Sequence, residues 1–229
     1  MSNQLRVTLE LGLKGQKVAA VAPDWPGLER GAKTAEAAID RLQSYRPRYA
    51  QVAKRAGMEA EFATISTIDV VERYPGNGST DFWGISFAFS DIDRQDLSRD
   101  ELERELTLMR ACWAFFDDVR GRVSPAMQKG PRGGGRDRDE IAGHVLRAEQ
   151  DMSAKVGARV PQADLLLDKG QEEEMQAYRD AYCDAIRAYH AEGKMARKWP
   201  LRYLIRHTAY HTLDHAWEME DKDLTNGAR

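Results

Sequence analysis

RHTAYHTLDHAWEMEDKD, Arg206 to Asp223, carries three of the chain's five histidines, His207, His211 and His215, at steps of four. Four residues is about one helical turn, so successive members of the series stack along one side of a helix. Two imidazoles at that spacing can grip one metal ion. The first and third, about 12 Å apart along the axis, cannot. One helix therefore supplies a pair, and any further ligand must come from elsewhere.

Helical phase selects the pair. Leu201, Ile205, Thr208, Thr212, Ala216 and Met219 form an apolar stripe at 100° per residue. His215 and His211 lie on its shoulder, leaning inward, while His207 falls one step further out and reads as exposed or as a support behind the ligands. Glu218 follows His215 by about a turn. An isolated HxxxH also arises by chance in solvated helices, so the pair needs a partner to count as a site.

Outward from this stretch the chain reads as helical over its C-terminal part. Ser98 and Glu101 form a capping box, and Leu102, Leu106, Met109, Trp113 and Phe116 give the stripe of a first helix. A glycine-rich loop, KGPRGGGRD from Lys129 to Asp137, leads into a second with Ile141, Val145, Ala148 and Met152 inward. A third runs from about Gln171 through Met175, Tyr178, Tyr182, Ile186 and Tyr189, and the fourth begins after Trp199-Pro200. Four amphipathic helices predict a four-helix bundle over residues 97–229.

The second helix holds the missing ligand. His144 follows Ile141 by three residues and precedes Val145, so it shares their inward stripe. A lone histidine on an apolar face is ordinarily a hydrogen-bonded core residue, but here another helix presents two more toward the same core, and bundle cores are where facing helices build metal sites. His144, His211 and His215 would leave coordination positions for water or substrate, the open arrangement of a catalytic metal. Imidazole ligands suit several divalent ions, with zinc the first expectation and nickel, iron or manganese the others.

Residues 1–96 read as a small α/β module and connector. Val7, Leu9, Leu11 and Leu13 alternate with polar residues as a strand, Lys14-Gly15 turns the chain, and Val18 to Ala22 returns. Asp24-Trp25-Pro26-Gly27 is a turn. A helix from Thr34 is interrupted or restarted at Pro47, and Phe62 to Tyr74 is a further strand, giving a ββαβ outline. Between Tyr74 and Leu97 the chain turns polar. Phe82, Trp83, Ile85, Phe87 and Phe89 in that connector either pack between the two halves or line a pocket. The fold class expected is α+β.

Composition narrows the function. Against 37 acidic residues stand 34 basic ones, a net charge of −3, which gives no electrostatic case for nucleic acid. No apolar run approaches membrane-spanning length, and the N-terminus lacks a signal-peptide core, so no membrane partner and a cytoplasmic location are expected. Cys112 and Cys183 read as buried free thiols.

Two resemblances follow. The hairpin, the DWPG turn and the helix from Thr34 resemble a HicB-like antitoxin domain over the first fifty residues or so. That implies a protein partner for this module; a structural cap on the second domain is the other reading. The four helices, with GPRGGGRDRDEIAGHVLRAE (Gly130 to Glu149) and YHTLDHAWEMEDK (Tyr210 to Lys222), resemble the DinB/YfiT superfamily of metalloenzymes over Leu97 to Asp223. Carried over position by position, the family's ligands fall on His144, His211 and His215, and His207 matches none. The resemblance implies a divalent metal, a small-molecule substrate, a tendency to form homodimers and thiol-dependent S-transfer using a low-molecular-weight thiol such as mycothiol. Coordination to a dication favours the thiolate at neutral pH. A metal-dependent hydrolase and a non-catalytic binding or regulatory protein are the alternatives.

Further residues are candidates around that centre. Glu218 is the first candidate for a proton carrier or a histidine's partner, with Glu149 and Asp214 behind it. Lys129, Arg132 and Arg136 flank glycine amides just before the His144 helix, a place for the anionic groups of a thiol cofactor, or else a solvated connector.

Overall fold

The computed structural model describes residues 3–159, 167–168 and 170–225. Strands β1 (Gln4–Leu11) and β2 (Val18–Val21) form the expected antiparallel hairpin, with Thr8 opposite Val21 and Leu11 opposite Val18. Val7 and Leu9 are buried as the alternation predicts, but Leu11 at the strand end and Leu13 beyond it are exposed. Glu10, expected on the solvent side, is fully buried.

After the DWPG turn the chain adds a strand that the ββαβ outline lacked. Strand β3 (Glu29–Ala32) pairs antiparallel with β2, and the sheet order is β3-β2-β1-β4. Its sequence, ERGA, carries no apolar alternation; its place comes from its neighbour and from a close approach. A Cβ on Gly31 would lie 1.9 Å from the Gly84 carbonyl oxygen, so backbone meets backbone there.

Helix α1 (Ala35–Arg55) is capped by the Thr34 hydroxyl, which accepts from the Ala37 amide. It runs through Pro47 without the expected break. Buried Ala38, Leu42, Tyr49, Val52 and Ala53 hold it against the sheet and the helical half. Phe62 belongs to a short helix, α2 (Glu59–Ala63), and strand β4 (Thr67–Pro75) starts later than the sequence suggests, parallel to β1.

The segment read as a polar connector is pinned, with Thr80, Asp81, Ser86, Ser90, Ile92 and Asp93 buried. It contains two short helices, α3 (Gly78–Trp83) and α4 (Asp91–Arg94). Between them the chain has no regular structure, yet the amides of Ser86, Phe87, Ala88 and Ser90 all find acceptors. The Glu10 carboxylate accepts from the Ser86 hydroxyl at 2.7 Å and the amides of Phe87 and Ala88 at 2.9 and 3.0 Å; Glu29 accepts from the Ser86 amide at 2.6 Å.

Four long helices follow: α5 (Arg99–Arg122), α6 (Arg138–Ser153), α7 (Glu172–Ala191) and α8 (Leu201–Asp221). The molecule is α+β, and one continuous core joins both halves. It runs from Leu5, Val7 and Leu9 through Tyr49 to Met109, Trp113, Leu204 and Leu213. Helix α8 lies along α5, touches α6, and is covered on a further side by α4. It is therefore buried nearly all round in its first half, and its arginines need partners there. Arg202 pairs with Glu105, and Arg206 with Asp93. Among the described residues no helix is long and apolar enough to cross a membrane.

Candidate metal centre

Helix α6 starts at an Asp137-x-x-Glu140 box, where the Glu140 carboxylate accepts the Asp137 amide at 2.8 Å. That start, with Ile141 and Val145 sunk in the core, aims His144 at α8. The result brings the three predicted ligands together. His144 Nε2 and His211 Nε2 are 3.2 Å apart, and one ring nitrogen from each of His144, His211 and His215 lies within 4.8 Å of the others. Two nitrogens bound at about 2.1 Å to a tetrahedral zinc are about 3.4 Å apart. The set fits one small divalent ion after a modest closing of His215.

Electrostatics favour the form of histidine that binds metal. Burial, then His215 and Arg136, lowers His144 to about 4; burial, then His215 and His144, lowers His211 to about 2. Both imidazoles are neutral near pH 7 with a lone pair available. His215 Nδ1 lies 2.6 Å from Glu218 Oε2. The bond from His215, together with Lys222, holds Glu218 down at about 2, so it is a carboxylate that can only accept. His215 must then donate from Nδ1, which leaves Nε2 for a metal. Glu218 is thus the histidine's partner, and an ionised carboxylate this acidic is a poor proton donor.

The centre opens into a cavity of about 760 Å³ between the two halves. One wall is the side of α8 that carries His207, Tyr210, His211, Asp214, His215 and Glu218. The opposite wall comes from the N-terminal half: Arg30, Gly31, Ile85 and Phe87, with Trp83 at the rim. Of the aromatic patch in the connector, Trp83, Ile85 and Phe87 line the cavity. Phe89 instead packs on Tyr203 at 4.6 Å, and Phe82 lies exposed beside Trp83.

His207 departs from its expected place. It is buried at 7% exposure, because segment 84–90 covers the side of α8 that phase assigned to solvent. Its ring stacks on Tyr203 with an interplanar angle of 13° and meets Trp199 and Phe87 at 5.6 and 5.7 Å. Burial and Arg206 lower it to about 3. It lines the cavity but does not join the histidine cluster.

The glycine-loop cations separate. Arg136 reaches the cavity wall beside the centre. Lys129 turns back into its own loop, 2.6 Å from Asp137 and 3.2 Å from the Gly135 carbonyl, and Arg132 is exposed away from the cavity. Asp214 lines the cavity, held by Arg30 at 2.9 Å. Glu149 is buried with Arg179 and does not reach it. Cys112 and Cys183 are buried free thiols, with burial pushing Cys183 up to about 11 and Cys112 higher still; neither lines the cavity.

Pattern reading missed Arg30. It is buried between the rings of Tyr45 and Trp217, at 3.7 and 4.3 Å, and fixes the cavity wall through Asp214. The partners come from α1 and α8, so no local signal could have announced it. Compared with protein-family models, curated proteins and solved structures, the chain matches none.

Proposed function

We propose that this protein is a divalent-metal-dependent enzyme of the DinB/YfiT type, whose helices α5 to α8 form the family's bundle, and that it catalyses thiol-dependent S-transfer to a small molecule. The observation that carries the reading is the convergence of His144 from α6 with His211 and His215 from α8 at the floor of a cavity. Three imidazoles leave positions open for exogenous ligands. A bound dication would lower the pKa of a coordinated thiol and present it as thiolate.

The remaining work falls to this chain's own groups. Glu218 orients His215 and fixes its tautomer. Arg136 places a cation beside the centre, suited to an anionic group near the sulfur. The apolar wall of Ile85, Phe87 and Met152 limits water around the reacting sulfur. The N-terminal segment, which resembles a HicB-like module, contributes seven of the twenty residues lining the cavity and shares the core. This favours a substrate-binding role over a separate partner-recruiting one.

The test loads the full chain with Co(II) and titrates a small thiol while following the cobalt–sulfur absorption. One thiol per bound cobalt supports the reading. Cobalt bound without any thiol response removes the S-transfer assignment and leaves hydrolysis as the chemistry to assay.

A further inference from the structure

His207 and Glu218 stand at opposite ends of the cavity wall, eleven residues or about 16 Å apart on α8. The centre uses the Glu218 end. The His207 end holds hydrogen-bond donors that nothing in the fold employs.

His207 is more than nine-tenths buried, and among the described residues neither ring nitrogen makes a hydrogen bond; Nδ1 is wholly enclosed. A neutral imidazole always carries one N–H and one lone pair, and leaving them unmatched in a packed aromatic surround is unfavourable. One turn along, Tyr210 lines the cavity with its hydroxyl equally without a partner among the described residues. On the facing side Lys155 rests its ammonium over the Trp199 ring at 4.2 Å and forms no ion pair among the described residues. The other charges near this end are Asp151, exposed one turn before Lys155, and Arg206, which is paired with Asp93 behind the ring. The Phe87 and Trp199 rings both lie against His207, at 5.7 and 5.6 Å, and line the cavity.

Unused donors, an unpaired ammonium and flat apolar walls together match one ligand group. We propose that the His207–Lys155 end of the cavity is a carboxylate subsite. Lys155 supplies the charge, His207 and Tyr210 donate hydrogen bonds, and the Phe87 and Trp199 rings enclose the carbon skeleton. This rests on the metal reading above and deepens it: the molecule that reacts at the histidine centre carries a carboxylate. His207 and His211 are one turn apart, so their side chains start about 5–6 Å from each other. A ligand bridging the two therefore spans roughly a benzene ring between its metal-bound atom and its carboxylate.

The probes are 4-(mercaptomethyl)benzoate and its uncharged twin, benzyl mercaptan, titrated into the Co(II)-loaded full chain and read by cobalt–sulfur absorption. The carboxylate probe should bind roughly tenfold tighter or more, the increment of a charge-assisted hydrogen bond in a partly buried site. Lys155→Met and His207→Phe should each erase that preference while leaving benzyl mercaptan affinity and cobalt stoichiometry unchanged. Equal binding of the two probes by the parent chain, or a preference that survives both substitutions, overturns the subsite. Lys155 is partly exposed, so its variant decides the matter even where His207→Phe folds poorly. Should no cobalt bind at all, the metal reading fails separately. Binding of 4-methylbenzoate to the metal-free chain, followed by tryptophan fluorescence, then decides the subsite: Lys155-dependent binding supports it and no binding overturns it.

Discussion

Glu218 accepts the Nδ1 hydrogen of His215 at 2.6 Å while Lys222 holds its other oxygen at 2.5 Å, so the third histidine of the cluster is fixed in both tautomer and direction. A ligand imidazole whose far nitrogen is bound to a carboxylate is also the more basic for it. Glu218→Gln keeps the shape and loses the charge. It should weaken metal binding roughly 10- to 100-fold with little change in thermal unfolding of the metal-free chain. A chelator competition titration measures the first and calorimetry the second. Unchanged affinity would make Glu218 a bystander.

The pair of Arg206 with Asp93 closes the polar layer between segment 84–90 and α8, with both guanidinium contacts at 2.7 Å and both residues buried. Replacing Asp93 with Ala strips that buried guanidinium of its close carboxylate and leaves it Ser86 Oγ at 3.1 Å, the Ala88 carbonyl at 3.4 Å and Glu29 at 3.5 Å. We expect a loss on the order of 3–5 kcal/mol in urea unfolding, together with exposure of the cavity wall. A loss below about 1 kcal/mol would mean that water or Glu29 replaces the aspartate.

Much of this was legible in the sequence, and the reasons differ by element. The capping box at Ser98 announced α5 and clean 3.6-residue stripes marked both α5 and α6, and phase placed His144, His211 and His215 together. Phase failed at His207 because it assumes a helix with one wet side, whereas segment 84–90 covers that side of α8. β3 escaped notice because ERGA is held by β2 and by the contact with Gly84, neither of which leaves a periodic mark. The buried Glu10, Glu29 and Asp93 carboxylates were unreadable for a related reason. Their hydrogen-bond partners lie up to 113 residues away or in irregular backbone, so each looked like an ordinary surface charge.

Burial raises Glu149 to about 7 from its ordinary 4.5, against the pull of Arg179. A carboxyl raised in the folded state binds its proton more tightly there than in the unfolded chain. Its contribution is therefore complete below about pH 4.5 and is lost as pH rises through about 7. Glu149→Gln should flatten that part of the stability profile, measured by urea midpoints across the range. An identical slope in both proteins would contradict the assignment.

His207 has the opposite sign. Its folded value, lowered to about 3 from 6.5, means that the unfolded chain takes up the proton first, so stability falls as pH drops below about 6.5. His207→Phe should remove its share of this acid sensitivity in the same unfolding series, leaving that of His144 and His211, and retention of the full slope would contradict the assignment.

Gly31 and Gly84 meet backbone to backbone at the cavity edge. Gly31→Ala forces β3 and the Gly84 loop apart. Overpacking of this kind costs roughly 1–3 kcal/mol, and the loop shift should alter Trp83 fluorescence. A neutral substitution would show that the loop can yield.

The most direct test is metal content of the untagged full chain, purified without chelator and supplied separately with zinc, nickel, manganese and iron, beside His144→Ala and His207→Ala. The account predicts about one ion per chain for the parent and for His207→Ala, and near none for His144→Ala with its helical content intact. Loss of metal in His207→Ala but not in His144→Ala, or no metal in the parent under any condition, would contradict it.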